Sequence, residues 1–271
     1  MSALILEIAS SQNKTFKKFK SLTLKKYREK EALFLLEGQR YIESALENGI
    51  LFEAILFDET TWHESIDTPS KEFYQSATQI YLITEGLFKE LSQTEQSQGI
   101  IGVLPIPEKK TLTQILETHN SNLIMLDRIQ DPGNLGTIIR TADAAGLEMI
   151  LLVRGSADPY NPKVVRSTAG SILSVQLVEV DETIETIHIL KSFGYHIVVT
   201  ALEGATDYDD VSNYGAKNCL VIGNEANGVS TAFIEASDAR VKIPIIGRAE
   251  SLNAAVAAGI MMYKLRSLDR L

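Results

Sequence analysis

The 271-residue sequence contains one cysteine, Cys219, and four histidines, His63, His119, His188 and His196. A single cysteine excludes a disulfide framework within the chain and a cysteine-based zinc site, and it is typical of a protein kept in a reducing compartment. The four histidines lack the short spacings of metal ligands. We therefore expect a cytoplasmic protein without a metal cofactor.

Long hydrophobic runs are also missing. No apolar run approaches the roughly 20 residues that a membrane-spanning helix requires, and the longest is interrupted by Gly259 and followed by Lys264 and Arg266. Residues 1–9 lack the layout of a signal peptide, since Glu7 precedes any basic residue. Hydrophobic residues nevertheless make up 45% of the chain, which is enough for a globular core. A globular protein without a membrane anchor is expected.

Charge is distributed unevenly along the chain. The net charge of −9 disfavours indiscriminate binding to nucleic acids, yet residues 12–30 carry eight basic side chains against one acid, Glu29. The basic residues are Lys14, Lys17, Lys18, Lys20, Lys25, Lys26, Arg28 and Lys30. Such a basic helix is either an ordinary solvated surface or a phosphate-binding surface, and the pattern alone leaves both interpretations open.

The hydrophobic pattern predicts an α/β protein with a small N-terminal domain at 1–104, a proline-containing linker at 105–121 and a second domain at 122–271. In the first domain, after the basic helix, strands are predicted at 32–36, 52–57, 80–84 and 100–104 and a helix at 38–48. In the second, strands are predicted at 123–126, 149–153, 175–180, 197–200, 220–222 and 241–245. Helices are predicted there at 135–145, 162–169, 184–193, 230–236 and 252–268. This alternation indicates a mostly parallel sheet with helices on both faces.

Three loops of the second domain, at 131–140, 222–228 and 243–253, are rich in Gly, Asn and charged residues and each leads from a strand towards a helix. Open α/β sheets bind ligands at the carboxyl ends of their strands, so the three loops predict one composite site. The first loop has only Gly133 and Gly136, not the Gly-x-Gly-x-x-Gly of a dinucleotide fold. An unrelated nucleotide-binding enzyme with a metabolite substrate is therefore a disfavoured alternative.

Each loop taken singly also has a purely structural interpretation. Asn134 could cap a helix with Arg140 as a surface side chain, Glu225 could be a solvated turn residue, and Ser251 could cap the last helix. The small residues at 254–259 suit close helix packing, in the core or at a subunit interface. Only the joint presence of the three loops favours a functional site.

Together the three loops resemble the three motifs of the SpoU (TrmH) family of RNA ribose 2′-O-methyltransferases, in the SPOUT superfamily. They read Asn134-x-Gly136-x-x-x-Arg140, Gly223-Asn224-Glu225, and Ile243-Pro244 followed by Ser251-Leu252-Asn253. The resemblance covers residues 122–268. Residues 34–38 and the basic helix resemble the family's RNA substrate-binding domain. One departure is Ala226, where many members have glycine, so the turn there is expected to differ slightly.

The resemblance implies a C-terminal trefoil knot that holds S-adenosylmethionine, and a homodimer formed through the knotted domain. The implied cofactor-binding residues are Thr200, Ala201, Gly223, Asn224, Glu225, Ile243, Ile245, Ser251, Leu252 and Asn253. The implied catalytic residues are Arg140, Asn134, Glu225, Ser251 and Asn253. The expected RNA-binding residues are Lys14, Lys17, Lys18, Lys25, Lys26, Arg28 and Arg140.

The implied reaction is methyl transfer from S-adenosylmethionine to a ribose 2′-hydroxyl of RNA. The separate N-terminal domain favours ribosomal RNA over transfer RNA by analogy. Removing a proton from a guanidinium at neutral pH would cost roughly 7 kcal/mol, so we favour Arg140 as an electrostatic clamp over a general base. Transfer RNA remains an alternative substrate. A catalytically silent RNA-binding or ribosome-assembly factor is a further alternative, disfavoured because all the site residues are retained.

Overall fold

A computed structural model describes residues 4–64, 79–94, 96–181 and 184–268 of the chain. They form two compact units. The first comprises Met1–Glu108 with Tyr160–Ala169, and the second comprises Lys109–Pro159 with Gly170–Leu271. The sequence pattern does not predict that residues 160–169, which lie far along the chain, group with the N-terminal unit.

The first unit is built on a mixed sheet with the strand order β1-β4-β3-β5-β2. Its strands are β1 (Leu4–Ile8), β2 (Leu33–Glu37), β3 (Ala54–Asp58), β4 (Gln79–Ile83) and β5 (Ile100–Pro105). Strands β1, β4 and β3 are parallel, whereas β5 runs antiparallel to β3 and β2. The four predicted strands are present within two residues at each end. The sequence pattern does not predict β1, because its pairing with β4 is a long-range contact.

Helices of the first unit cover this sheet with aromatic and aliphatic side chains. They are α1 (Lys14–Ser21), α2 (Lys25–Glu31), α3 (Gln39–Glu47), α4 (Glu59–Glu64) and α5 (Glu85–Leu91). The predicted single basic helix is wrong, because the structure has α1 and α2 separated by a turn. Phe16, Phe19 and Leu22 are buried against the sheet. Because Leu22, just after α1, is buried in this core, the chain turns inwards there and a single continuous helix does not form.

The second unit contains a fully parallel seven-stranded sheet with the order β10-β12-β9-β11-β6-β7-β8. Its strands are β6 (Leu123–Leu126), β7 (Met149–Val153), β8 (Gln176–Val180), β9 (His196–Thr200), β10 (Thr206–Asp207), β11 (Asn218–Ile222) and β12 (Ala239–Lys242). Its helices are α6 (Leu112–Leu116), α7 (Pro132–Ala144), α9 (Ile184–Ser192), α10 (Thr231–Ala236) and α11 (Ala254–Leu268), while α8 (Pro162–Ser167) belongs to the first unit. The predicted fold class is confirmed.

Several predicted boundaries are corrected by helix caps. The predicted linker 105–121 contains α6, which Thr111 and Gln114 close with a capping box and which buries Ile115 and Leu116 in the core of the second unit. Helix α7 begins at Pro132 rather than at 135, because the Asp131 side chain accepts a hydrogen bond from the Asn134 backbone N–H at 2.8 Å.

The third loop also differs from the sequence prediction. Strand β12 ends at Lys242, three residues early, so Ile243 and Ile245 lie in the loop. Helix α11 begins at Ala254, where the Asn253 side chain accepts hydrogen bonds from the backbone N–H groups of Ala255 and Val256. Asn253, not Ser251, is therefore the cap of this helix.

No helix among the residues that the structure describes is both long and apolar enough to cross a bilayer.

Candidate active site

The candidate site lies at the carboxyl ends of four neighbouring strands of the second unit. Strands β12, β9, β11 and β6 are adjacent in the sheet and parallel, so their carboxyl ends lie side by side. Thr200 ends β9 and Ala201 directly follows it, and the three motif loops follow β6, β11 and β12. The sheet topology thus brings loops far apart in sequence to one edge.

A chain of side-chain hydrogen bonds joins the three loops. The Asn134 Nδ2 group donates to Oε1 of Glu225 at 2.9 Å, and Asn253 Nδ2 donates to Oδ1 of Asn134 at 2.9 Å. Asn134 therefore uses both ends of its amide, one towards the second loop and one towards the third. Three of the five predicted catalytic residues are in direct contact.

The Glu225 carboxylate is held by residues 130–134, at the end of the loop that follows β6 and the start of α7. The backbone N–H groups of Gln130 and Asp131 donate to its two oxygens at 3.3 Å each, alongside the Asn134 amide. Partial burial raises the pKa of Glu225, but these hydrogen bonds outweigh it and the net pKa lies below the ordinary 4.5. Glu225 is consequently a carboxylate at neutral pH.

The second loop is a tight turn organised by Asn224. Its Oδ1 accepts from the backbone N–H groups of Ala226 (2.9 Å) and Asn227 (3.1 Å), and Asn224 and Gly228 exchange two backbone hydrogen bonds of 2.9 Å. A Cβ on Gly223 would lie 2.2 Å from backbone atoms of Gly228 and Val229, so only glycine fits there. The left-handed conformation falls on Gly228 (φ 66°) rather than on Ala226, which explains how the turn accommodates alanine.

Arg140 lies apart from this hydrogen-bonded chain. It is exposed on α7, about 9 Å along the helix axis from Asn134. Among the described residues, no carboxylate or carbonyl pairs with its guanidinium. The structure therefore does not bring Arg140 into hydrogen-bond contact with the other predicted catalytic residues, and it leaves the guanidinium available for a ligand.

The third loop is open to solvent. Residues 244–253 are exposed, including Ser251 and Leu252, and Ile246 is 97% exposed. Within the described part of the chain, residues 243–252 form no hydrogen bond through backbone or side chain. Next to it, Thr200 and Ala201 are tied into the sheet, through the Thr200 hydroxyl to the Val221 carbonyl (3.2 Å) and the Ala201 N–H to the Val241 carbonyl (3.0 Å).

The predicted RNA-binding residues of the first unit fall into three groups. Lys14, Lys17, Lys25 and Lys26 are exposed on α1 and α2. Arg28 is only 2% exposed and donates to the Leu22 carbonyl at 2.7 Å, so its predicted contact with RNA is corrected: it stabilises the turn between α1 and α2. Lys18 faces Glu31 and Glu53 at 3.8 and 3.9 Å, which partly neutralises it.

Asp127 is an acid of the site region that the sequence prediction does not include. It directly follows β6 and is fully buried, with its carboxylate contacting Arg128 and the backbone of Ser230. The sequence feature that could have indicated Asp127 is its position as an acid between an apolar strand and an arginine.

A metal site would require several ligating side chains around a common point. The described residues hold no group of three or more His, Cys, Asp or Glu side chains in such an arrangement.

Comparison with known proteins identifies both parts of the chain. Residues 121–263 match the family model described as the SpoU rRNA Methylase family, and residues 13–102 match an MRM3-like substrate binding domain. The chain is 38% identical to the 23S rRNA (guanosine(2553)-2′-O)-methyltransferase RlmP of Bacillus subtilis (strain 168), over 96% of this chain and 99% of the relative.

Solved structures give the same result. An rRNA methyltransferase from Sinorhizobium meliloti with bound S-adenosylmethionine (AdoMet) superimposes with a TM-score of 0.85 at 30% identity, covering 97% of this chain and 98% of that one. The SpoU methyltransferase AviRb from Streptomyces viridochromogenes, in complex with AdoMet, gives 0.82 at 28% identity, with 96% and 99% covered. The family, enzyme class and cofactor predicted from the three motifs are confirmed. The chain belongs to the SpoU rRNA methylase family.

Proposed function

We propose that this protein transfers the methyl group of AdoMet to a ribose 2′-hydroxyl of ribosomal RNA, in the large subunit. The observation that carries the proposal is the hydrogen-bonded chain from Asn253 through Asn134 to Glu225, which joins all three family motifs at one edge of the sheet. The B. subtilis relative, whose name specifies 23S rRNA, supports the choice of RNA.

The residues present fit the nucleoside part of AdoMet. The loop at 243–252 has backbone N–H and C=O groups without partners among the described residues, and these suit the polar edge of an adenine ring. Leu202, Ile245 and Leu252 are exposed apolar side chains of the same sheet edge, suited to its faces. In our proposal AdoMet is bound by Thr200, Ala201, Gly223, Asn224, Glu225, Ile243, Ile245, Ser251, Leu252 and Asn253.

Arg140 is the proposed catalytic residue. When bound, AdoMet supplies a methyl group activated by the sulfonium charge. The unpaired guanidinium of Arg140 holds the ribose hydroxyl and the adjacent phosphate in line with that methyl group and stabilises the negative charge that develops on oxygen. The hydroxyl proton leaves to water, since the guanidinium keeps its own protons at neutral pH.

Asn134, Glu225 and Asn253 are proposed to fix the relative positions of the loops. Glu225 holds the entrance of α7 through Asn134 and two backbone N–H groups, and Asn253 fixes the start of α11 against Asn134. Ser251 is exposed beside Asn253 and contributes its hydroxyl to the bound cofactor. A small shift of any of these loops would misalign hydroxyl and methyl group.

The exposed lysines of α1 and α2 form the proposed RNA-binding surface of the first unit. Lys14, Lys17, Lys25 and Lys26 contact phosphates, which position the RNA without selecting its sequence.

We also propose a trefoil knot in the second unit and a cytoplasmic homodimer. Exposed Val256 and Tyr263 lie seven residues apart on α11 and supply an apolar face for a second copy, and the single cysteine suits a reducing compartment.

The decisive experiment is incubation of the purified protein with labelled AdoMet and total RNA from cells that lack the corresponding gene. We expect label in 23S rRNA, followed by mapping of the 2′-O-methyl position, with the position equivalent to guanosine 2553 tested first. Label in transfer RNA alone would overturn the ribosomal assignment, and no label in any RNA fraction would overturn the enzymatic one.

A further inference from the structure

Asp127 is a fully buried acid at the end of β6, and both of its carboxylate oxygens are engaged. Oδ2 accepts a hydrogen bond from the Ser230 backbone N–H at 2.6 Å, and Oδ1 accepts from Arg128 Nε at 3.0 Å. The Asp127 backbone N–H donates to the Ile222 carbonyl at 2.8 Å. A buried carboxylate is costly unless it is paired, so these contacts fix its position.

These contacts attach both ends of the segment 223–230, which contains most of the second motif loop (222–228), to the dipeptide Asp127-Arg128. At the far end, Ser230 N–H is held by the Asp127 carboxylate. At the near end, Asn224 Nδ2 donates to the Arg128 carbonyl at 2.7 Å. Arg128 adopts a left-handed backbone conformation (φ 57°), an uncommon one for a residue other than glycine. Its carbonyl contacts Asn224 of the loop, while its Nε–H donates to the Asp127 carboxylate.

We infer that Asp127 is a positioning residue for methyl transfer, which sets the loop at 223–230 in its AdoMet-binding conformation through Ser230 and Arg128. This inference rests on the proposed function, because it takes that loop as part of the cofactor site. Asp127 itself touches neither substrate nor cofactor. Its effect passes through Asn224 and Glu225, which the loop carries.

The first test replaces Asp127 with Asn, which has the same shape but presents an NH2 group, a donor, in place of one accepting oxygen. One of the two donors then loses its acceptor, and we expect the dissociation constant for AdoMet to rise roughly tenfold or more. Calorimetry separates this from misfolding, because a misfolded fraction lowers the stoichiometry and leaves the dissociation constant unchanged. RNA affinity should stay at the wild-type value.

A second pair of variants tests the same hydrogen bond from the other side. Ser230→Pro removes the N–H, and the φ of −63° at Ser230 is one that proline adopts. Ser230→Ala keeps the N–H and is the matched control, since the Ser230 hydroxyl has no partner among the described residues. Ser230→Pro should weaken AdoMet binding as Asp127→Asn does, and Ser230→Ala should bind AdoMet normally. The double variant, Asp127→Asn with Ser230→Pro, should bind AdoMet no more weakly than the weaker-binding single variant.

Hydrogen exchange of the loop at 223–230 in the protein without AdoMet provides a readout that does not depend on cofactor binding. We expect faster exchange in Asp127→Asn and Ser230→Pro than in the wild type and in Ser230→Ala. Unchanged dissociation constants, unchanged loop exchange, or equal effects of Ser230→Ala and Ser230→Pro would overturn the inference. Failure of the wild-type protein to bind AdoMet would instead overturn the proposed function, and loop exchange would still decide the role of Asp127.

Discussion

The Asn134 amide nitrogen lies 2.9 Å from Oε1 of Glu225, which joins residues 91 positions apart in the sequence. Since Asn253 donates to the other end of the same amide, Asn134 connects the three motif loops. Arg140 stands outside this arrangement, and its guanidinium is unpaired among the described residues. The connecting residues and Arg140 should therefore respond differently to substitution.

Arg140→Ala should abolish methyl transfer while AdoMet binding stays near normal, because the Arg140 side chain forms no hydrogen bond to the described loops. We expect the rate to fall at least about a hundredfold, the scale of losing one preorganised donor to a developing negative charge. The methyl-transfer rate of Arg140→Lys should lie between those of the wild type and Arg140→Ala, since lysine keeps the charge but lacks the planar guanidinium with its paired N–H donors. Single-turnover methylation and calorimetry with AdoMet measure the two quantities. Arg240→Ala, at the amino end of β12, is the control, and a loss of AdoMet affinity in Arg140→Ala would contradict the assignment.

Glu225→Gln should lower stability at neutral pH and remove a pH dependence in acid. The hydrogen bonds hold the pKa of Glu225 below its ordinary 4.5, so its contribution is fully present above that pH and is lost as the pH falls through the lower folded-state value. Urea unfolding of wild type and variant should therefore differ at pH 7 and converge well below pH 4.5. Exposed Glu235→Gln on α10 is the control, since substitutions at such surface positions usually change stability little. A constant difference across this range would rule out the carboxylate's role.

Replacing Lys14, Lys17, Lys25 and Lys26 with Gln should weaken RNA binding and flatten its dependence on salt. For each phosphate that the variant no longer binds, the slope of log affinity against log salt should fall by about 0.7 to 0.9. Fluorescence titrations at several salt concentrations give the slope. The control replaces three lysines outside α1 and α2, Lys89, Lys109 and Lys191, and the change in slope is compared per lysine replaced. An equal change in the control would mean that α1 and α2 form no specific RNA surface.

Arg28→Gln should destabilise the first unit without changing the slope of log RNA affinity against log salt, although it removes a positive charge from α2. The reason is that Arg28 is buried and donates to the Leu22 carbonyl, and losing such a charged hydrogen bond costs about 1.5 to 3 kcal/mol. Urea unfolding should show this loss, while exposed Arg40→Gln on α3 should show almost none. A reduced salt slope at unchanged stability would instead assign Arg28 to the RNA surface.

The local sequence is sufficient to predict many strands and helices of the second unit. The hydrophobic pattern predicts strands β6 and β7 at their observed bounds, because strands buried on both faces of a parallel sheet are continuous apolar runs. Helix starts are less accurate. The structure has Asp131 and Asn253 as caps, where the sequence offers Asn134 and Ser251 as equally good candidates, and only the backbone path after each strand distinguishes them.

The sequence by itself determined the α/β class, the three motif loops and the family, since these depend on hydrophobic periodicity and on residue types at short spacings. The tertiary structure decided which residues meet. Asn134 and Asn253 are 119 positions apart, and they meet only because β12, β9, β11 and β6 are neighbours in one sheet. Burial was likewise decided by packing: Arg28 and exposed Lys26 are alike in charge and location along the chain, but only Arg28 faces the core, where its hydrogen bond offsets the cost of leaving water.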